Sequence, residues 1–252
     1  NFMNKGDRYN EGKIDETGNY QHNGIYVGCV GARFEKPKEM EYKYMLITED
    51  QNEEKKGYGE KNKDKSELLN VWAKFYGVDY FPTYEEAKEE AKKEAKDDVN
   101  KYTCINVYDE ENSKFLDYYL NNEVYKKRLK KTILPFLLEA NDRGKKEKKE
   151  NINIQGVYCH VVGLGIGAWS IDKSIQTKLM LKVYKEILDE YKFDEIKYID
   201  FSWFDKLTMR QEFTKIFPEN KINEIELIYS INAPFSIVKK DIDDKFKVNI
   251  DK

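Results

Sequence analysis

Apolar positions recur along this chain at two different periods, and the switches between them mark out its elements. Residues 157–162, Val-Tyr-Cys-His-Val-Val, form a run with the β-branched and aromatic content of a buried strand. The spacing then becomes four: Ile175, Leu179, Val183 and Ile187 predict a helix, capped by Asp172 or Ser174 and ending near Tyr191. Residues 195–201 predict the next strand, residues 208–216 a short helix ahead of Pro218, and residues 225–231 a third strand. Strand, helix, strand, helix, strand implies a parallel sheet with right-handed crossovers.

The first half of the chain is less regular. Residues 1–23 are polar and rich in Gly, Asn and Asp, and read as a loosely held arm. Residues 25–34 and 42–48 predict two strands, read as a hairpin joined through residues 35–39. Residues 49–66 are nearly all charged or polar and predict a surface loop. Leu68, Leu69, Trp72 and Phe75 fall at helical spacing. Thr83, with Glu85 and Glu86 behind it, predicts the start of a helix running to about Asp98, with a narrow stripe of Ala87, Ala91 and Ala95 that allows close packing. Residues 102–108 predict a strand. Residues 113–143 read as mostly helical, with Leu116, Tyr119, Leu120, Val124, Leu129, Ile133, Phe136 and Leu137 on the apolar face, a kink or restart at Pro135, and a charged linker over 143–150. The domain reading is an arm over 1–23 and one elaborated domain over 24–252, its N-terminal elaboration in 24–110 and its core in 111–252.

Composition narrows the function classes. The chain has 252 residues and a formal net charge of -3, so it offers no general electrostatic case for nucleic acid, and the basic positions between Lys126 and Lys131 read as the wet face of a helix. Cys29, Cys104 and Cys159 lie far apart in apolar runs and read as small buried hydrophobes. With His22 and His160 the only histidines, no metal site and no cofactor are expected. No apolar run approaches the roughly twenty residues of a membrane span, so the expectation is a soluble protein of a reducing compartment, cytoplasmic or secreted. The first residue is Asn rather than Met, which reads as other than the natural start and leaves a removed signal open.

The chemistry concentrates after the strand at 157–162, where Gly163, Leu164, Gly165, Ile166, Gly167, Ala168 and Trp169 form a glycine-rich loop. Backbone N–H groups free of side chains, followed by a helix N-terminus, suit a phosphate. Two familiar phosphate motifs do not fit. The loop ends in Ala168-Trp169-Ser170, with no P-loop lysine. Gly163-x-Gly165-x-x-Ala168 meets the permissive dinucleotide pattern, but its helix starts late and the best acid, Asp200, is too far along and inside its strand.

Ligands of parallel sheets sit beyond the carboxyl ends of strands, which adds residues 202–205 and 232–236. Ser202, Trp203, Phe204 and Asn232 are therefore candidate ligand residues, the aromatics either stacking on a base or closing the core. Asp205 is the best-placed acid for catalysis, or else a turn residue. Asn141 suits a ribose hydroxyl or a helix C-cap. Arg33, Glu35 and Glu39 read as a surface salt-bridge cluster or as charges lining a cleft, and His160 as a hydrogen-bonded core residue.

Several pieces taken together resemble a divergent macrodomain family, the one that includes the bacterial effector MavL. They are Val30-Gly-Ala-Arg-Phe-Glu35 with Met40-Glu41, Leu134-Pro-Phe-Leu-Leu-Glu-Ala-Asn141, His160-Val-Val-Gly-Leu-Gly-Ile-Gly-Ala-Trp169, Gln176, and Asp200-Phe-Ser-Trp-Phe204. The resemblance implies an α/β fold, a three-layer macrodomain-like and mostly parallel sheet with helices on both faces. It also implies recognition of ADP-ribose or ADP-ribosylated protein, with the diphosphate on loop 163–169, and removal of ADP-ribose from a protein side chain. The family pattern continues into an acidic segment with Trp-Asp-Gly-Asn and Gly-Asn-Glu, whereas residues 237–252 contain no such block. Either that part lies outside the sequence or this member binds without hydrolysing. A non-catalytic protein-interaction domain and an NAD-dependent enzyme remain as alternatives, and neither nucleic acid nor membrane is an expected partner.

Overall fold

The computed structural model describes residues 9–10, 13–14, 25, 27–35, 41–49, 63–79, 81–93, 100–109, 113–202, 204 and 206–230. In chain order the elements are β1 (Tyr9–Asn10), β2 (Lys13–Ile14), α1 (Tyr42–Met45), β3 (Leu46–Ile47), α2 (Lys63–Tyr76), α3 (Tyr84–Lys92), β4 (Tyr102–Asp109), β5 (Lys114–Asn121), α4 (Asn122–Glu150), β6 (Val157–Val161), α5 (Lys173–Glu190), β7 (Ile196–Phe201), α6 (Lys206–Ile216), β8 (Lys221–Ile222) and β9 (Ile225–Tyr229). The class is α/β, and the expected macrodomain-like fold is consistent with it. The chain divides into two compact units, one of Asn1–Val30, Thr132–Leu164 and Tyr184–Lys252, the other of Gly31–Lys131 and Gly165–Val183, with two of the divisions falling inside α4 and α5 and one inside the glycine loop.

The first unit carries a sheet in the order β6-β7-β9-β8, parallel between β6, β7 and β9, with β8 antiparallel at the edge. The three strands and the parallel connections read from the apolar pattern are therefore present. Parallel strands are covered on both faces and read as near-continuous apolar runs, and β7 obeys this, with Tyr198, Ile199, Asp200 and Phe201 all buried. Phe201 is the centre of an aromatic group, with Tyr184 edge-on at 4.9 Å, Phe213 at 5.7 Å and Phe217 at 5.8 Å. In the same unit β1 and β2 pair as a small antiparallel ribbon.

The expected charged linker at 143–150 is instead the last two turns of α4. Gly144 is not a break but a contact: a Cβ there would lie 2.6 Å from Val157 Cγ2 and 2.8 Å from Glu195 Cβ. The helix is held down by its missing side chain, and Lys148 adds an ion pair to Glu195 at 3.1 Å.

The second unit carries an antiparallel sheet, β3-β5-β4, whose long hairpin runs in register from Tyr102↔Asn121 to Asp109↔Lys114. Three expectations are corrected here. Residues 114–121 are a strand and not the start of a helix, because their run of Phe, Leu and Tyr pairs along the whole length of β4. Tyr42–Met45 is a short helix, and only Leu46–Ile47 of the predicted second strand is a strand, paired with β5. Among the described residues the predicted hairpin is not formed: residues 27–34 lie outside any sheet, with Ala32 and Phe34 buried. The hydrogen bond that would have gone to a ladder partner goes to a loop, Phe34 N–H donating to the Trp169 carbonyl at 3.1 Å.

Asn121 ends β5 and starts α4 in one residue. Its side-chain oxygen accepts from Val124 N–H at 3.1 Å, the bond of an N-cap, while Asn122 donates through Nδ2 to Asn100 O at 2.8 Å and Thr103 Oγ1 at 2.6 Å. The start predicted at Thr83 holds, with a full capping box between Thr83 and Glu86. Ala87 and Ala91 pack on Ile47, Tyr84, Tyr102 and Tyr119, as the small-residue stripe predicts, while Ala95 lies outside the described residues. Cys159 is buried, but Cys104 is exposed on the outward face of β4, contrary to the sequence reading. Among the described residues no helix is long and apolar enough to cross a membrane.

Candidate functional site

Two glycines of the loop play opposite parts. Gly165 has φ +72°, a left-handed conformation that costs other residues energy. It also presses on the backbone of the preceding segment: a Cβ would lie 2.4 Å from Ala32 O and 3.0 Å from Ala32 N. Gly167 has no positive φ, and a Cβ there would meet nothing within 4 Å. Gly165 thus fastens the loop to residues 31–34, and Gly167 leaves one side of it open.

The far end of the loop is fastened as well. Beyond the Phe34–Trp169 backbone bond, the Arg33 guanidinium lies over the Trp169 ring at 4.5 Å from its centroid, a cation–π contact. Arg33 Nε also donates to Glu35 Oε1 at 2.9 Å, so the salt-bridge reading of these two residues holds. Glu39 lies outside the described residues. Ser170 closes a turn, its N–H donating to Gly167 O at 3.1 Å and its hydroxyl to the same oxygen at 2.7 Å.

What remains between these fastenings is a short row of donors. Gly167, Ala168 and Trp169 are exposed, and among the described residues their backbone N–H groups make no hydrogen bond. The α5 N-terminus does not add to this row as the sequence suggested. Asp172 caps it, its Oδ1 accepting from Ile175 N–H at 2.9 Å, so the carboxylate sits where the anion was expected. Sequence reasoning also missed what Gln176 and Arg33 do here. A signal was present for the first: Gln176 is a polar residue in register with the apolar positions Met180 and Val183, and it is fully buried.

The remaining sequence candidates belong to the first unit. Gly163 follows the end of β6, and Leu164 helps line a cavity of about 50 Å³ with Val27, Cys29, Phe136, His160 and Tyr184. That volume is far below the roughly 300 Å³ of a small-molecule pocket. Ser202 is fully buried, its N–H and hydroxyl both donating to Val161 O, at 2.9 and 3.3 Å. Asn141 is 4% exposed in the middle of α4, not at a helix end, and its side-chain oxygen accepts from Glu195 N–H at 3.0 Å. Phe204 is half-buried against Phe201 at 5.9 Å. Trp203, Asp205 and Asn232 lie outside the described residues.

His160 and Asp200 face each other across β6 and β7. Asp200, 1% exposed, accepts through Oδ2 from Tyr158 Oη at 2.9 Å and Ser230 Oγ at 3.0 Å, while His160 Nδ1 lies 3.3 Å from the same oxygen. Neither ring nitrogen of His160 completes a hydrogen bond among the described residues, which corrects the expectation of a hydrogen-bonded core histidine. Close by, burial pushes the Cys159 thiol up to about 12, so it is protonated and inert as a nucleophile at neutral pH.

Comparison with known proteins places the chain among relatives. The family described as ADP-ribosylhydrolase MavL-like matches residues 1–248. Among curated proteins, the ADP-ribosylarginine hydrolase CG3568 of Drosophila melanogaster is 30% identical over 214 residues, which are 81% of this chain and 37% of that protein. The ADP-ribosylarginine hydrolase CG2909 of the same organism is 26% identical over 211 residues, again 81% of this chain and 37% of the relative. The chain thus spans a little over a third of the length of these relatives. A family match over residues 1–248, with a relative 30% identical over 81% of the chain, means that the chain belongs to the MavL-like ADP-ribosylhydrolase family.

Proposed function

We propose that this chain holds the ADP-ribose part of an ADP-ribosylated arginine and serves its removal from a protein side chain. The observation that carries the reading is the row of exposed N–H donors at Gly167, Ala168 and Trp169, braced on both sides by Gly165 and by the Phe34 and Arg33 contacts. A diphosphate accepts hydrogen bonds only, and an array of backbone amides that need not reorganise is a good host for its charge. The names of the two relatives support arginine as the linked side chain.

The reaction this implies is attack of water on the anomeric carbon of the ribose next to the arginine, with the bond to the guanidino nitrogen breaking and that nitrogen taking a proton. A carboxylate is needed to activate the water, and Asp205 is the candidate on sequence grounds. Ile166 is proposed to border the ligand, whereas the side-chain oxygen of Asn141 and the hydroxyl of Ser202 are engaged within the scaffold.

Calorimetric titration with ADP-ribose tests the binding half. Saturable heat with one site per chain is expected, and no heat and no thermal shift at millimolar ligand would rule the reading out. Release of ADP-ribose from an ADP-ribosylarginine peptide tests the second half. Binding without release would leave the chain a reader of the modification and not a hydrolase.

A further inference from the structure

Gln176 is buried completely in the first turn of α5, and every hydrogen-bonding position of its amide is used. Oε1 accepts from two backbone N–H groups, Ile171 at 2.8 Å and Asp172 at 3.1 Å. Nε2 donates to the Gly165 carbonyl at 3.3 Å and to Tyr125 Oη at 3.1 Å. A backbone N–H can only donate and a carbonyl can only accept, so the amide has one workable orientation. Three of the four partners are backbone groups at the two ends of segment 165–172. The side chain therefore ties the strained start of the loop to its exit.

We propose that Gln176 is a positioning residue for the ligand loop: by bridging Gly165 to Ile171 and Asp172 it fixes the span within which Gly167, Ala168 and Trp169 present their N–H groups. This inference rests on the reading of that loop as the ADP-ribose site. It differs from a general stabilising role because it demands a donor at one end and an acceptor at the other. Glutamate is nearly the same shape and keeps the acceptor for Ile171 and Asp172. It places a carboxylate oxygen against the Gly165 carbonyl, where a donor is required. The tyrosine hydroxyl can turn to donate to it, but the carbonyl cannot.

The test compares Gln176→Glu with Asn122→Ala, which removes two part-buried hydrogen bonds from the same compact unit away from the loop. Thermal unfolding measures the stability of each, and calorimetry measures ADP-ribose affinity well below the unfolding temperature. The expected result is an affinity loss of at least tenfold, about 1.4 kcal/mol, for Gln176→Glu, with Asn122→Ala within twofold of the unaltered protein. In turnover of an ADP-ribosylarginine peptide the loss should appear in KM more than in kcat. If Gln176→Glu does not fold, Gln176→Met, close in volume and uncharged, is held to the same criterion. Unaltered affinity in a folded Gln176 variant, or equal loss in Asn122→Ala, would overturn the inference while leaving the site reading intact. An absence of binding by the unaltered protein would overturn the site reading, and this inference with it.

Discussion

Gly165→Ala is the perturbation that most directly tests how the loop is held. Two costs add at this position. A left-handed φ of +72° costs a residue with a Cβ roughly 1–2 kcal/mol. The new Cβ would also stand 2.4 Å from Ala32 O, a backbone atom that cannot swing away as a side chain end would. Relieving such an overlap in packed structure typically costs about 1–3 kcal/mol, so the expected total is about 2–5 kcal/mol. For a chain of this size that lowers the thermal midpoint by at least about 4 °C. Gly167→Ala meets nothing within 4 Å, and its effect on stability should stay within about 0.5 kcal/mol. Differential scanning fluorimetry and urea unfolding of both variants, followed by ADP-ribose titration, give the comparison. Gly165→Ala should lose stability and binding together, whereas Gly167→Ala should keep its stability and bind at least tenfold more weakly, because the methyl group narrows the approach to the exposed N–H row. A Gly165→Ala protein as stable as the original would refute the argument, as would a Gly167→Ala protein that is unstable or binds normally.

Two further outcomes follow from the first unit. Asp200→Ala removes the oxygen that accepts from Tyr158 and Ser230, and with about 1–3 kcal/mol for each hydrogen-bonding group left unpaired it should cost at least about 2 kcal/mol in urea unfolding; a cost under about 0.5 kcal/mol would show that this side chain does not organise β6, β7 and the end of β9. Burial raises the Cys159 thiol from about 9 to about 12, so the unfolded chain releases that proton first as pH rises. The contribution is whole below pH 9 and is lost between about 9 and 12; urea midpoints from pH 8 to 11 should fall accordingly, less steeply in Cys159→Ala, and equal slopes would contradict the assignment.

Much of the architecture was legible before any coordinates because it is encoded locally. The apolar run at 157–162 giving way to a four-residue spacing over 175–187 announces β6 and α5, and the alternation of strand and helix through residues 195–231 announces a parallel sheet. Thr83 with Glu86 determines a helix start, since both bonds of a capping box close within four residues. The missing lysine at Ala168-Trp169-Ser170 already excluded a P-loop, and three alternate glycines already pointed to an anion.

Other features were decided only in three dimensions. The aromatic run at 115–120 fits a helix or a strand equally well, and its pairing with β4 settled the matter. Gly144 looked like a break because sequence does not say what lies above a helix; Val157 and Glu195 do. Within the glycine loop, sequence could not tell that Gly165 is required by its φ and by Ala32 while Gly167 stands open. Gln176 entered the sequence reading only as one piece of the family resemblance, with none of its four hydrogen bonds visible there. Periodicity and caps are fixed by neighbours a few residues apart, which the sequence holds. Strand partners, close approaches and the saturation of a buried amide depend on groups brought together from distant positions, which only the tertiary structure supplies.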